Sequence, residues 1–137
     1  MDLDMDYKDF FKKAFGKEPY NYQTEIAQDV FPSVINAPTG AGKTAMILGA
    51  WLWRRIRESN LEKEKRVGRR LIYCLPMRVL VEQTAKVAQD AVQRLEEAGV
   101  VEKGRFRVYV LMGGDATGDW NSDRKQGETK WLRRQKI

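Results

Sequence analysis

Apolar positions near the start of the chain recur at helical spacing. Tyr7, Phe10, Phe11, Ala14 and Phe15 fall on one face, with Asp4 or Asp6 available as a cap and Gly16 as a stop, which predicts an amphipathic first helix. A second helix is predicted from Asn21 to about Val30, with Tyr22, Ile26 and Val30 on one stripe and Pro32 as its breaker. A third runs from Thr44 to about Arg57. It is apolar nearly all round at its start and basic at its end, so its first turns are expected to be buried. Val34-Ile35 and residues 71–75 read as short buried strands, the second ended by Pro76. Val81, Thr84, Ala85, Ala88, Ala91, Val92, Leu95 and Ala98 then trace one face of a long helix closed by Gly99, and residues 107–112 supply a third strand. Strands alternating with helices predict an α/β fold, a parallel sheet flanked by helices with its chemistry at the strands' C-terminal edge.

Between the first predicted strand and the third helix lies the octet Ala37, Pro38, Thr39, Gly40, Ala41, Gly42, Lys43, Thr44, a phosphate-binding loop with Ala at the place of its usual first Gly. Gly40 and Gly42 let the backbone fold around an anion so that consecutive N–H groups point inward. The Lys43 ammonium suits the β- and γ-phosphates, and the Thr44 hydroxyl is a hard oxygen ligand for Mg²⁺. The helix that follows adds its positive N-terminal end. The strand, loop and helix order is the context this motif requires, and it predicts a nucleoside triphosphate site.

Composition narrows what the site belongs to. At 137 residues the chain is one small domain, and 25 Lys and Arg against 19 acidic residues give +6, a balance that favours a polyanionic partner. His is absent, which excludes a His general base or His metal ligand from these residues. The single Cys74 sits in the apolar run at residues 71–75, where a buried inert thiol is expected and no internal disulfide can form. A reducing cytoplasm fits. Asp2, Asp4 and Asp6 at the start do not form a secretory signal, and the longest apolar run, residues 45–53, is too short to span a bilayer. Residues 54–70 hold eight Lys or Arg against three Glu and read as a solvated surface, with DNA phosphates as the competing use. Trp51 and Trp53 read as core or domain-contact residues.

Gln23, twenty positions before Lys43, together with the octet resembles the first RecA-like domain of superfamily two helicases. The resemblance implies that the Gln23 amide pairs with adenine and that Tyr20 or Tyr22 stacks on it; an amide carries both the donor and the acceptor that the base edge needs. A second similarity lies at residues 76–84, where Pro76, Met77, Arg78 and Gln83 stand as in helicase motif Ia, which holds a nucleic-acid strand by its phosphates. Gly113-Gly114 after the third strand resembles the Gly-Gly element that follows it. These segments, with Asp119-Trp120, are similar to the CRISPR-associated helicase-nuclease of type I systems, closest to its subtype U or G form. The likeness implies a motor that uses ATP and Mg²⁺, loads on single-stranded DNA beside an RNA-guided CRISPR surveillance complex, and feeds that strand to a metal-dependent nuclease.

The departures are chemical. No acidic Asp-Glu motif II follows Trp120; residues 121–137 are polar and basic instead, with six Lys or Arg against two acids. The organisation expected is therefore a partial helicase ATP-binding domain at residues 1–120, an incomplete first helicase domain, and a basic polar tail at 121–137, with a need for the missing downstream segment. Without the motif II carboxylates and a second-domain arginine finger, weak ATP turnover is expected. Two other classes stay open: a module that binds nucleotide or nucleic acid without catalysis, and a small P-loop kinase or GTPase-like enzyme, for which no Asn-Lys-x-Asp guanine motif is present.

Overall fold

A computed structural model of the chain describes residues 5–36, 42–112 and 115–117. Four helices carry it: α1 (Tyr7–Phe15), α2 (Asn21–Gln28), α3 (Lys43–Ile56) and α4 (Arg78–Glu97), followed by β1 (Val110–Met112) and β2 (Asp115–Thr117). Two single 3-10 turns, Glu58–Asn60 and Lys63–Lys65, lie between α3 and α4.

The local chemistry of α1 sets both of its ends. The Asp6 carboxylate accepts from the Asp9 backbone N–H at 2.9 Å, and Gly16 closes the helix at φ 78°, donating its N–H to the Lys12 carbonyl. Between the caps, Tyr7, Phe10, Phe11 and Ala14 are all buried. They pack on α3 and α4, where Leu52, Trp53, Ala91 and Leu95 complete the core with Val100 and Val101 after α4. Ring contacts bind the cluster, Tyr7 to Trp53 at 5.6 Å and Phe10 to Trp53 at 5.1 Å between centroids. Gly49, buried in mid-α3, is what admits α1 this closely. A Cβ there would stand 2.6 Å from the Tyr7 hydroxyl and 3.2 Å from the Phe15 ring.

The predicted sheet takes a different form. Among the described residues the one ladder is an antiparallel pair, with Val110 opposite Thr117, Leu111 opposite Ala116 and Met112 opposite Asp115. The parallel α/β sheet flanked by helices is thus not formed by them. Residues 34–35 and 71–75 carry no ladder, and Val34 is 81% exposed. Residues 71–75 nonetheless alternate: Leu71, Tyr73 and Leu75 are half-buried while Ile72 and Cys74 are exposed, the period-two pattern of an extended segment covered on one face. Cys74 is accordingly an exposed thiol, where burial was expected. On α4 the predicted face is covered along the helix, Val81, Thr84, Ala85 and Ala88 half-buried and Ala91, Val92 and Leu95 buried, with Ala98 exposed past its end; Val79, Leu80 and Val87, off that face, are exposed, as is Met77 before the helix. No helix among the described residues is long and apolar enough to cross a membrane.

Candidate nucleotide-binding site

Helix α3 opens at the end of the octet, at Lys43. Gly42 precedes it at φ 76°, a left-handed conformation that L side chains rarely adopt, and no side chain caps the N-terminus. The first intrahelical bond runs from Met46 N–H to the Gly42 carbonyl at 3.0 Å, so the N–H groups of Lys43, Thr44 and Ala45 have no acceptor within the helix. Lys43 is exposed and Thr44 half-buried beside them. N–H donors without an acceptor in the helix, an ammonium and a hydroxyl oxygen at one helix end form a donor set that fits a phosphate group carrying a hard cation. Pro38, Thr39, Gly40 and Ala41 lie outside the described residues.

Gln23 reaches this helix end from α2. It is fully buried, its Oε1 accepts from the Tyr20 N–H at 2.8 Å, and its Nε2 donates to the Gly42 carbonyl at 3.0 Å. The amide expected to face a base is thus turned into the protein and spans two backbone groups that helix geometry leaves open: an N-terminal donor of α2 and the second lone pair of Gly42. The contact depends on Gly42, because a Cβ at that position would sit 2.6 Å from Gln23 Nε2. Tyr20, 55% exposed, stacks on Tyr22 with ring centroids 6.2 Å apart and planes 11° from parallel. The Tyr22 hydroxyl is buried and would lie 3.8 Å from a Gly42 Cβ. Both candidate aromatic residues therefore stand on the α2 end nearest the phosphate helix.

The other end of α2 is held by a residue the sequence reading left in a solvated charge run. Arg54, in the last turn of α3, is 1% exposed. Its Nη2 donates to the Ile26 carbonyl at 2.5 Å and to the Asp29 carbonyl, its Nη1 donates to the Lys65 carbonyl at 3.2 Å, and its Cζ lies over the Phe31 ring, 4.0 Å from the ring centre. Burial pulls the guanidinium pKa below its ordinary value, and the Asp29 and Tyr7 groups push it back up. A signal for this burial was legible: position 54 continues the apolar stripe of Met46, Ala50 and Trp53. Its charged neighbours also have local partners, Arg55 with Glu58 at 2.8 Å and Arg57 over the Trp53 ring at 4.7 Å. Trp51 donates from Nε1 to the Gly68 carbonyl at 3.1 Å and meets the Phe106 ring edge-on.

The second expected site begins at α4. Met77 is its N-cap residue, Arg78 its first residue, no side chain caps it, and Pro76, Met77, Arg78 and Gln83 are all exposed. Gly113 and Gly114 lie outside the described residues.

No curated protein and no solved structure matches the chain. The profile of the DEAD/DEAH box helicase family matches residues 20–126, a span that runs from Tyr20 through the Lys43-Thr44 helix and the Arg78 helix to beyond β2. With most of its length matched, the chain belongs to the DEAD/DEAH box helicase family and is an ATP-binding, superfamily two N-terminal domain.

Proposed function

We propose that this chain is the ATP-binding N-terminal portion of an ATP-dependent DNA helicase of CRISPR interference, and that it binds both nucleotide and single-stranded DNA. The observation that carries the nucleotide part is the opening of α3, where left-handed Gly42 leads into an uncapped helix bearing exposed Lys43 and half-buried Thr44. In this reading the residues 38–44 hold the phosphates, Thr44 ligates Mg²⁺, and Tyr20 and Gln23 read the base. Bound Mg-ATP supplies the phosphoanhydride bond whose hydrolysis drives strand movement. The exposed Arg78 at the uncapped start of α4 supports a phosphate contact to DNA; in this reading Pro76, Met77, Gln83, Gly113 and Gly114 serve the same strand. The CRISPR assignment, with an RNA-guided surveillance complex as partner, rests on the wording of residues 22–23, 75–84 and 112–115.

Calorimetric titration tests the nucleotide part. Mg-ATP is expected to bind more tightly than Mg-GTP, and Lys43→Ala to weaken ATP binding by about tenfold or more through loss of a charge-assisted contact. Equal affinities for ATP and GTP would remove the base-reading role of Tyr20 and Gln23. Unchanged binding by the Lys43→Ala chain would remove the site.

A further inference from the structure

Helix α2 has only eight residues, too few to hold a helical conformation or a position by itself. Besides the packing of Ala27 in the core, with Ile26 and Phe31 against it, α2 is tethered to α3 at both ends. At its N-terminal end the buried Gln23 amide joins Tyr20 N–H to the Gly42 carbonyl. At its C-terminal end Arg54 gathers the Ile26 and Asp29 carbonyls, groups that a terminating helix leaves without intrahelical donors. The two helices therefore lie side by side in the same sense. Arg54 reaches back along α3 because helical side chains tilt toward the N-terminus.

A buried guanidinium held by carbonyls is a poor device for stability alone, since desolvating the charge is costly and an apolar side chain of similar length would pack in its place. What a planar fork does supply is register, because donors fixed in one plane accept only one arrangement of carbonyls. Phe31 closes one face of that plane and the Lys65 carbonyl takes a further N–H, so the guanidinium has little room to turn.

We propose that Arg54 is a positioning residue for nucleotide recognition: by clamping the C-terminal end of α2 to the helix that begins at Lys43, it sets the reach between the phosphate-binding residues and the α2 end that carries Tyr20, Tyr22 and the buried Gln23 strut. The inference rests on the reading of α2 as the base-recognition element. It separates two parts of one ligand. The phosphate donors belong to α3 itself and persist without the clamp, whereas the base contacts lie on a helix whose register depends on it.

The test is calorimetric titration of the wild-type, Arg54→Met and Arg54→Lys chains with Mg-ATP, Mg-GTP and inorganic tripolyphosphate, each chain first checked for folding by near-ultraviolet circular dichroism. Arg54→Met is expected to lower ATP affinity by about tenfold, the scale of losing one or two charge-assisted hydrogen bonds, and to bring the ATP to GTP ratio toward one. Tripolyphosphate affinity is expected to stay within about twofold. Arg54→Lys keeps the charge but not the flat fork, and is expected to fall between the two. A parallel loss for ATP and tripolyphosphate, the mark of a purely structural role, would overturn the proposal, as would a folded variant with an unchanged ATP to GTP ratio. If Arg54→Met does not fold, Arg54→Lys decides by the same ratio. Equal ATP and GTP affinities in the wild-type chain would instead overturn the reading of α2 on which the proposal depends, and the two failures are thereby distinct.

Discussion

Helix α3 is gripped on two sides by opposite means. Toward α1 the contact is aromatic: Tyr7, Phe10 and Phe11 are almost wholly buried and Trp53 closes on them at ring distances of 5.1 and 5.6 Å. Toward α2 only the small Ala27 is buried in the apolar core and the grip is mainly polar, with Gln23 at one end and Arg54 at the other, both buried and both bonded to backbone. Apolar burial contributes stability in proportion to area and tolerates small shifts. Directed hydrogen bonds to carbonyls contribute less net stability but admit only one register. The polar seam is the one that borders Gly42 and Lys43, so register is invested where a ligand is to be held and bulk stability where it is not.

The comparison breaks most visibly on the aromatic side. Phe10→Ala removes a fully buried ring, and the expected loss is about 3–5 kcal/mol by chemical denaturation, from the missing transfer energy and the cavity left behind. In the protein that remains folded, the ATP to GTP ratio is expected to be unchanged. A shift in nucleotide selectivity as large as the loss of stability would merge the two grips into one.

The polar side gives a smaller stability change with a functional signature. Gln23→Ala leaves the Tyr20 N–H without its acceptor and removes one of the two bonds at the Gly42 carbonyl, for an expected cost of about 1–3 kcal/mol. ATP affinity is expected to fall by more than this destabilisation explains, read by titration under conditions where the variant is fully folded. Unaltered ATP binding in a folded Gln23→Ala chain would reduce the strut to an ordinary helix cap.

The smallest effect sharpens the aromatic side by pH. The Tyr7 hydroxyl is buried with no hydrogen-bond partner among the described residues, and burial pushes its pKa above the ordinary tyrosine value, with Arg54 acting in the opposite direction. The unfolded chain releases this proton near pH 10 while the folded chain retains it, so the Tyr7 contribution to stability is fully present below about pH 10 and is lost as pH rises beyond it. Tyr7→Phe removes that dependence. Near pH 8 it is expected to change stability by less than about 1 kcal/mol, since no hydrogen bond is lost. Denaturation midpoints of the two chains at about pH 8 and about pH 10.5 check it: identical alkaline losses would mean that Tyr7 ionises as freely as an exposed phenol.

The four helices, the Gly16 stop of α1, an Asp cap before that helix and the opening of α3 to within one residue were legible in the order of residues, because helix bonds join positions four apart and caps act within one turn. Glycine, lysine and threonine at fixed spacing likewise raised the expectation of phosphate binding at that helix end. The sheet was not legible. A strand is completed by a remote partner, and the described residues bring residues 71–75 no ladder, leaving Ile72 and Cys74 exposed. Nor did the order of residues show which way a polar side chain faces. Gln23 reads equally well as a ligand group or as a strut, and Arg54 as one more cation of a basic run, until packing sets Gly42 beside one and the end of α2 beside the other. Whether an amide or a guanidinium meets water, a ligand or a backbone carbonyl depends on neighbours far along the chain, and only the tertiary structure supplies them.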